Sequence, residues 1–379
     1  MAVRKGKKSK LVFLVFWVLG LLLSWATAFI PRQVEDYYAL GFSKLLSRHL
    51  SLITGIVPFS LAELIVWLLV IGLIIGLIRE VLRKLKSFIK KRPKKEGGLF
   101  SNLYKLLVFL GIVYFCFILV WGLNYNRLSF AEIAGLNVQG VSAEELEELE
   151  ELCEKLIMKA NVLRTDLEEN ERGVLEIEGS FQTVRSLAPL AFSKATAIYP
   201  ELEGDFGKPK PVFSSKLMSY TGISGFYFPF SGEANVNIDI PASMLPATTC
   251  HEMAHQRGFA REDEANYIAW VACNSSDNPA FRYSGTLSAL IHAMNAFYEN
   301  APDNRARMLQ DEYSEGVCRD LQDIAQYWKK YEGKVEEVTS DINDAYLKSN
   351  RQEEGVQSYG RMVDLLLAEL KAEVGKRFI

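Results

Sequence analysis

Three long apolar runs in the first third of the chain constrain its fold most strongly. Leu11 to Ile30 is uncharged over 20 residues, and Leu106 to Leu123 is a second uncharged run. Between them, Ile53 to Ile78 contains Glu63 as its only charge, which can lie near the membrane interface if the span begins at about Pro58. A helix of about 20 apolar residues crosses a hydrocarbon core of about 30 Å. The sequence therefore predicts a membrane protein with three N-terminal transmembrane helices, at about residues 11–30, 58–78 and 106–123.

The first apolar run has a second interpretation, as a secretory signal peptide. A basic N-terminal segment ends at Lys10, and Ala26-Thr27-Ala28 has the small residues of a cleavage site. The run is longer than a usual signal core, which favours an uncleaved span. Cleavage would not change the side of the membrane on which the rest of the chain lies.

Lys and Arg are distributed unevenly, and their distribution predicts the orientation of the chain. Residues 1–124 hold 18 Lys and Arg against 5 Asp and Glu, whereas residues 125–379 hold 25 against 41. Basic residues are concentrated at the N-terminus and between the second and third spans, while residues 31–57 carry three. Positively charged loops stay in the cytoplasm. We therefore expect a cell-membrane protein with a cytoplasmic N-terminus and with residues 125–379 outside the cytoplasm.

The nine basic residues from Arg79 to Lys95 also resemble a nucleic-acid patch. A segment next to the membrane that contacts anionic lipid is a simpler explanation. The predicted partner of this segment is therefore membrane lipid, with no nucleic acid. Nothing in the sequence indicates an oligomeric state.

The 255 residues beyond the spans are enough for one α+β, mainly helical domain with a substantial core. Ser142 and Glu145 form a capping box for a helix that continues to about Leu167. A second helix, around residues 181–199, contains Pro189 and should be kinked or broken there. Further helices are predicted near residues 280–300, 303–331, 334–349 and 358–375.

The clearest chemical signal is the HExxH motif at residues 251–255. Positions i and i+4 of a helix lie about 40° apart around the axis and roughly 6 Å along it, so His251 and His255 can reach one metal ion. Glu252 can then act as a general base towards water. Pro246 suits the first turn of such a helix and Gly258 suits its end. The alternative is a structural role for two packed histidines, which is disfavoured because the chain contains only four histidines.

This segment resembles the active-site helix of the zincin metallopeptidases. Most of the chain resembles a family of bacterial membrane proteins with several N-terminal spans and an exported HExxH domain. In gluzincins, a glutamate on a second helix supplies the third ligand, and the residue four positions later holds a ligand histidine; Glu262 and Asn266 have that spacing. The resemblance implies Zn2+ as cofactor, held by His251, His255 and Glu262, with Asn266 supporting an imidazole.

Two features depart from the gluzincin pattern. The gap between His255 and Glu262 is short, and Asn266 stands where Asp is usual. Gly258 fits instead the metzincin pattern HExxHxxGxxH. Arg261 occupies the third-histidine position of that pattern and cannot bind a metal ion.

Glu264 is the alternative third ligand. Two residues on a helix lie about 200° apart, so Glu262 and Glu264 cannot both face the metal. Glu262 shares its face with Asn266, which can hold an imidazole, whereas Glu264 shares its face with Ile268. This pattern favours Glu262.

Residues 207–230, rich in Gly, Pro and aromatics, predict turns and short strands, and Glu233 to Ile240 alternates like a half-buried strand. Because an edge strand beside the zincin helix pairs with the substrate backbone, the resemblance implies substrate contacts from Ala234, Asn235 and Val236. An ordinary half-buried strand is the alternative.

Other side chains carry weaker signals. His292 is predicted as a core or partly buried histidine rather than a metal ligand, and residues 346–361 can form a loop over the cleft. Cys250 points about 100° away from His251 and should not bind the metal, while an exported location permits disulfides without requiring them. The candidates for stabilising an oxyanion are Tyr220, Tyr227, Tyr346 and Tyr359.

Together these features predict a membrane-anchored zinc peptidase that hydrolyses peptide bonds of a peptide or protein substrate outside the cytoplasm, with Glu252 as general base. One rival is a non-catalytic sensor or assembly protein with a structural or vestigial zinc site, although such a site has no need of Glu252. Another rival is a zinc hydrolase of cell-wall amides, which the acidic domain weakly disfavours.

Overall fold

The computed structural model describes residues 12–89, 98–138, 143–352 and 361–372. It is mainly helical, with one small sheet. The helices are α1 (Val12–Thr27), α2 (Pro31–Gln33), α3 (Lys44–Gly55), α4 (Leu61–Ile89), α5 (Gly98–Val120), α6 (Phe130–Ala134), α7 (Ala143–Thr165), α8 (Ser180–Ala195), α9 (Ser215–Ser219), α10 (Leu245–Gln256), α11 (Glu262–Ser275), α12 (Pro279–Asn300), α13 (Asp303–Gln310), α14 (Glu315–Lys329), α15 (Lys334–Ser349) and α16 (Met362–Lys371). The strands are β1 (Lys210–Val212), β2 (Gly225–Phe228) and β3 (Glu233–Asn237). A π-helix spans Val34–Ser43, and 3-10 helices span Gly122–Asn126 and Pro200–Leu202.

Two helices are long and apolar enough to cross a membrane, Leu61–Arg83 in α4 and Leu103–Val120 in α5. Leu14–Thr27 and Pro31–Gly55 qualify only as a pair, and they meet at a bend of 104°. The described residues thus contain two candidate spans, or three if the bent pair is one broken span. The predicted spans at 58–78 and 106–123 overlap with α4 and α5. The first predicted span differs, because Pro31 begins a new helix after α1 has ended.

The helix α1 packs along α5. Trp17 stacks on Tyr114 with ring centroids 5.0 Å apart, and its indole N–H donates to the carbonyl oxygen of Leu107 at 3.2 Å. Gly20 lies against the same Tyr114 ring, where a Cβ would be 2.6 Å from a ring carbon. The two helices are therefore in close contact at Trp17 and Gly20.

Residues 31–57, predicted as an external loop, pack into the domain that follows the spans. The Ser47 hydroxyl donates to the carbonyl oxygen of Gln256, at the end of α10, over 2.7 Å. Gly207 lies so close to the backbone of Ser51 that no side chain fits between them. The sequence-based boundary at residue 124 therefore does not separate two units here, because residues between the first spans support the helix that carries the HExxH motif.

Two buried carboxylates join the start of α4 to the domain. Glu63, in the first turn of α4, accepts from the backbone N–H groups of Phe213 and Ser214, each at 2.8 Å. Glu233 of β3 accepts from the backbone N–H of Ala62 at 2.9 Å. The one charge predicted near the membrane interface is therefore used to fasten α9 to the end of a span.

The sheet has the order β1-β3-β2. β3 pairs in parallel with β1 and antiparallel with β2, and all five of its residues are buried. The expectation that Ala234, Asn235 and Val236 lie on an edge strand is therefore wrong, because their backbone groups face a neighbour on both sides. The alternation of the sequence could not reveal this, since polar side chains such as Asn235 are buried here against Ser60 (2.6 Å). The edge strands are β1 and β2, and β2 is the one that contacts α10.

The core is arranged around α11, which contacts α8, α10, α12 and α16. The predicted helices at 142–167, 181–199, 280–300 and 334–349 correspond to α7, α8, α12 and α15, and the helix predicted over 303–331 is divided into α13 and α14. α8 continues through Pro189. The helix predicted at 358–375 corresponds to α16, and residues 358–360 and 373–375 lie outside the described part. Since α10 packs on α11, both metal-binding elements of the prediction belong to the core.

Candidate metal centre

The HExxH motif lies on α10, and a tight turn returns the chain to the same site. Gly258 has a φ of +88°, a left-handed conformation that suits glycine. Its N–H donates to the carbonyl oxygen of His255 at 2.8 Å, and Phe259 N–H donates to that of Ala254 at 3.3 Å. These bonds end the helix in the manner of a glycine cap. After only three more residues α11 begins at Glu262, so the short gap in the sequence is spanned by this turn.

The structure brings together His251, His255 and Glu262. Nε2 of His251 lies 3.1 Å from Oε2 of Glu262 and 3.1 Å from Nε2 of His255, and the third distance, His255 to Glu262, is 3.4 Å. Tetrahedral zinc holds N and O ligands at about 2.0–2.2 Å, which places neighbouring ligand atoms about 3.3–3.5 Å apart. The three atoms are spaced like three corners of such a site. Among the described residues, this is the one His, Cys, Asp and Glu cluster of that kind.

Glu264 lies apart from this cluster. One of its carboxylate oxygens accepts from the backbone N–H of Phe130 at 2.8 Å and from the Arg261 guanidinium at 2.7 Å. Its side chain therefore stabilises the junction between α6 and the start of α11. The geometry gives Glu264 no access to the imidazoles, and Arg261, at the third-histidine position of metzincins, has this structural role.

The two histidines are held differently. Nδ1 of His255 donates to the carbonyl oxygen of Phe259 at 2.7 Å, which directs the lone pair of Nε2 towards the cluster. Nδ1 of His251 is buried and has no hydrogen-bond partner within the described ranges. The same is true of Nδ2 of Asn266, so the predicted hydrogen bond from Asn266 to an imidazole is absent there. Asn266 lines the cavity instead, because the backbone of Phe259 already occupies the far side of His255.

A buried ion pair supports the turn that holds His255. The Arg127 guanidinium donates to both carboxylate oxygens of Glu35, at 2.8 and 2.6 Å, and neither side chain is exposed by more than 5%. Arg127 also donates to the carbonyl oxygen of Gly258 at 2.9 Å and lies 4.1 Å above the Phe259 ring. Glu35 therefore reaches the metal cluster through Arg127 and Phe259. Its place in the sequence, before the second span, gave no sign of this.

Glu252 lies beside the three donor atoms in a buried position. Burial raises the pKa of Glu252 to about 7, although His251 and His255 lower it. One of its carboxylate oxygens has no hydrogen-bond partner in the described part of the chain. Gly225 of β2 faces this side chain, and a Cβ there would lie 2.5 to 2.8 Å from the Glu252 carboxylate group. The strand therefore approaches Glu252 as closely as glycine allows.

The charges of the cluster affect one another strongly. Burial opposes ionisation of Glu262, but His255 and His251 outweigh it and hold the pKa of Glu262 well below its usual range. Burial likewise opposes protonation of His255, but Glu262 raises the pKa of His255 to about 9. The ionised Glu262 carboxylate therefore stabilises a proton on His255, and a metal cation bound between them would take the place of that proton.

A cavity of about 510 Å³ opens beside the cluster. Tyr227 and Tyr346 line it, while Tyr220 packs on Tyr331 and Tyr359 lies outside the described residues. His292, predicted as a core or partly buried histidine, is partly buried and lines the cavity, and burial and His251 lower its pKa to about 4. The cavity is also lined by residues that carried no sequence signal, including Trp121, Tyr125, Gly225, Glu336 and Asn343.

Two further predictions concern the surroundings of the cluster. Gln352, in the predicted loop over the cleft, accepts from the backbone N–H of Glu262 at 3.2 Å, and residues 353–360 of that loop lie outside the described part. All five cysteines are free, and Cys250 is buried away from the metal-binding atoms, as expected from its angle on the helix.

Comparison with known proteins places the chain in a family. No curated protein and no solved structure matches it. The family described as "Protein of unknown function (DUF3810)" matches residues 38–367, a range that includes both candidate spans, the metal cluster and α15. Because the match covers most of its length, the chain belongs to this family.

Proposed function

We propose that the chain is a membrane-anchored, zinc-dependent peptidase of the zincin type, with its catalytic domain outside the cytoplasm. The observation that carries this proposal is the convergence of donor atoms from His251, His255 and Glu262 beside the Glu252 carboxylate, at the wall of a cavity. Their spacing fits zinc, and their chemistry, two imidazoles and one carboxylate, is that of catalytic zinc sites.

Each residue has a distinct part in the reaction. Zinc held by the three donors would polarise a substrate carbonyl and lower the pKa of water to about 7. Glu252 accepts a proton from the attacking water and passes it to the leaving amine. The hydroxyl of the water goes to the carbonyl carbon, one hydrogen goes to the nitrogen, and the C–N bond breaks. The Phe259 carbonyl keeps Nε2 of His255 directed at the metal throughout.

The cavity supports a catalytic over a structural role for the metal. A structural zinc site is closed by four protein ligands, whereas a catalytic site keeps a position open. Here three donors face a cavity of about 510 Å³, and a carboxylate with no metal-binding function lies beside them. Neither feature serves a purely structural site.

The edge strand β2 is the element placed to hold a substrate. It lines the cavity from Gly225 to Tyr227 and runs past Glu252. An extended peptide can add to a free strand edge through main-chain hydrogen bonds. This assigns to β2 the part that the sequence assigned to β3.

The proposed orientation of the chain in the membrane rests on the basic residues between Arg79 and Lys95. With α1, α4 and α5 as three spans, the N-terminus is cytoplasmic and the cavity is outside. A C-terminal reporter that is active only outside the cytoplasm should be active. An inactive reporter at normal protein levels would contradict the proposed location of the cavity outside the cytoplasm.

The activity is tested on the full chain in detergent, because residues 31–57 belong to the domain. A peptide library incubated with zinc-loaded protein should be cleaved, and Glu252→Ala should reduce the rate at least about 100-fold while zinc is retained. Cleavage at the wild-type rate by Glu252→Ala would refute the proposed mechanism. The cell-wall rival predicts cleavage of amide cross-links with no cleavage of the library.

A further inference from the structure

The metal cluster lies directly beyond the end of a membrane span. Trp121 follows Val120, the last residue of the candidate span in α5. Its ring centroid lies 6.2 Å from that of His255 and 4.7 Å from that of Tyr227, and it lines the cavity. Only the side chain of Trp121 therefore lies between His255 and the point where the chain leaves the membrane.

The helix α15 bounds the cavity and ends at the same span. Glu336 and Asn343 of α15 line the cavity. Near its C-terminal end, the Tyr346 ring lies 6.3 Å from that of Phe117, within the span, and its hydroxyl is 3.0 Å from that of Tyr125. α15 is thus held at the level where α5 emerges from the membrane.

One face of α15 is apolar and has no protein partner that buries it. Val335, Val338 and Ile342 are 59%, 56% and 64% exposed. At 100° per residue, the three lie within about 60° around the helix axis. Leu347 is the one buried residue of this helix. An apolar helix face at the end of a span is typical of a helix that lies in the membrane interface.

A second apolar patch flanks the cavity mouth at the other span. Phe213 and Leu217 are 74% and 57% exposed, and Glu63 of α4 holds the backbone of Phe213. The loop that follows lines the cavity at Gly222, which lies against the side chain of Glu336 on α15. Exposed apolar side chains therefore lie on two sides of the cavity, at the outer end of α4 and on α15 beside the outer end of α5.

We propose that the mouth of the metal cavity lies on the lipid surface and that the substrates are polypeptides tethered to the same membrane, cleaved in the segment just outside it. This inference rests on the proposed peptidase function and adds its substrate class. A chain that leaves the membrane beside α5 enters the cavity directly, at the level of Trp121. Tethering to the same surface also raises the local concentration of such a segment far above that of a free peptide.

The lipid contact is tested first, on the full chain in phosphatidylcholine nanodiscs. An environment-sensitive fluorophore is attached to Ile342→Cys and, as matched control, to Glu337→Cys, which lies about 140° away on the same helix. The parent chain, labelled in parallel, gives the background from the native cysteines. Spin-labelled lipid should quench the probe at position 342 at least about threefold more than at position 337. Equal quenching at the two positions would overturn the inference.

The substrate class is tested with one randomised peptide library in two forms, fused to a membrane-spanning anchor in the same nanodiscs or to a soluble carrier. Cleavage that depends on Glu252 should be at least about tenfold faster for the anchored form. Equal rates would overturn the inference and leave the peptidase function standing. Absence of Glu252-dependent cleavage in both forms would refute the peptidase function, and the inference with it.

Discussion

The two walls of the metal cavity differ in how they are packed. Ten of the twelve residues of α10 and eleven of the fourteen residues of α11 are buried, and these helices carry the metal-binding side chains. On the opposite wall, one of the sixteen residues of α15 is buried. A close-packed core holds side chains in fixed rotamers, whereas a helix with few buried contacts is more easily displaced. The geometry of the proposed metal site is therefore set by the fold, and the α15 wall is the part free to adapt to the proposed substrate and lipid.

The largest expected effect concerns the buried ion pair between Glu35 and Arg127, which supports the wall formed by α10 and α11 (the packed wall). Glu35→Gln leaves the Arg127 guanidinium buried without its counter-charge, so we expect the free energy of unfolding to fall by about 3–5 kcal/mol. Denaturation of the full chain in detergent measures this. The matched control is Asp36→Asn, whose ion pair with Arg32 is exposed, and which should change stability by about 0.5 kcal/mol or less. Similar losses for both variants would show that the buried pair does not support the wall.

The next effect tests the close approach of β2 to Glu252. In Gly225→Ala, the new methyl group occupies the place of the Glu252 carboxylate, which must move because it ends a flexible side chain. A shift of about 1 Å in a catalytic group can cost about 100-fold in rate, so we expect that loss with zinc content and stability unchanged. Gly76→Ala, where nothing lies within 4 Å, is the control and should keep the wild-type rate. A Gly225→Ala variant that keeps the wild-type rate would contradict the assignment of Glu252 as the general base.

The third effect separates two neighbouring carboxylates on the packed wall. Glu262→Gln should lower zinc affinity at least about tenfold, because it removes the charged donor of the cluster. Glu264→Gln should leave zinc affinity nearly unchanged, since Glu264 binds Phe130 and Arg261 instead. Zinc titration against a competing chelator measures both, and the reverse ranking would refute the ligand assignment.

The smallest effect is expected on the α15 wall. Val338→Ala should change the free energy of unfolding in detergent by about 0.5 kcal/mol or less, because this side chain packs on no protein core. The same change at Val271 of α11, which is fully buried, should cost about 2 kcal/mol through the cavity that it leaves. Equal losses of unfolding free energy at the two positions would show that the two walls do not differ in packing.

Local patterns in the sequence were sufficient to predict the helix that carries the HExxH motif and the place where it ends. The i, i+4 spacing of the histidines, Pro246 and Gly258 depend on neighbouring residues only, so the helix and its end could be predicted. The helical angle between Glu262 and Glu264 showed that the two cannot both face the histidines, but the preference for Glu262 rested on Asn266, whose expected hydrogen bond to an imidazole is absent among the described residues. Each of these features is visible within a window of about 20 residues.

Features that depend on distant contacts could not be predicted in this way. The alternation from Glu233 to Ile240 indicates a strand but does not show how many strands pair with it. For this reason β3 was predicted as an edge strand. Ser47 and Glu35 lie before the second span, and their contacts with Gln256 and Arg127 join segments far apart in the chain. Trp121 lies within the apolar run from Leu106 to Leu123, where nothing distinguishes a residue beside a candidate metal site from one in lipid.

Metal analysis of the full chain tests the central claim most directly. After purification in detergent and equilibration with zinc, the wild-type protein should retain one zinc ion per chain, and the double variant His251→Ala/His255→Ala should retain none. A wild-type protein that binds no zinc, or a double variant that keeps its zinc, would contradict the assignment of His251, His255 and Glu262 as a metal centre.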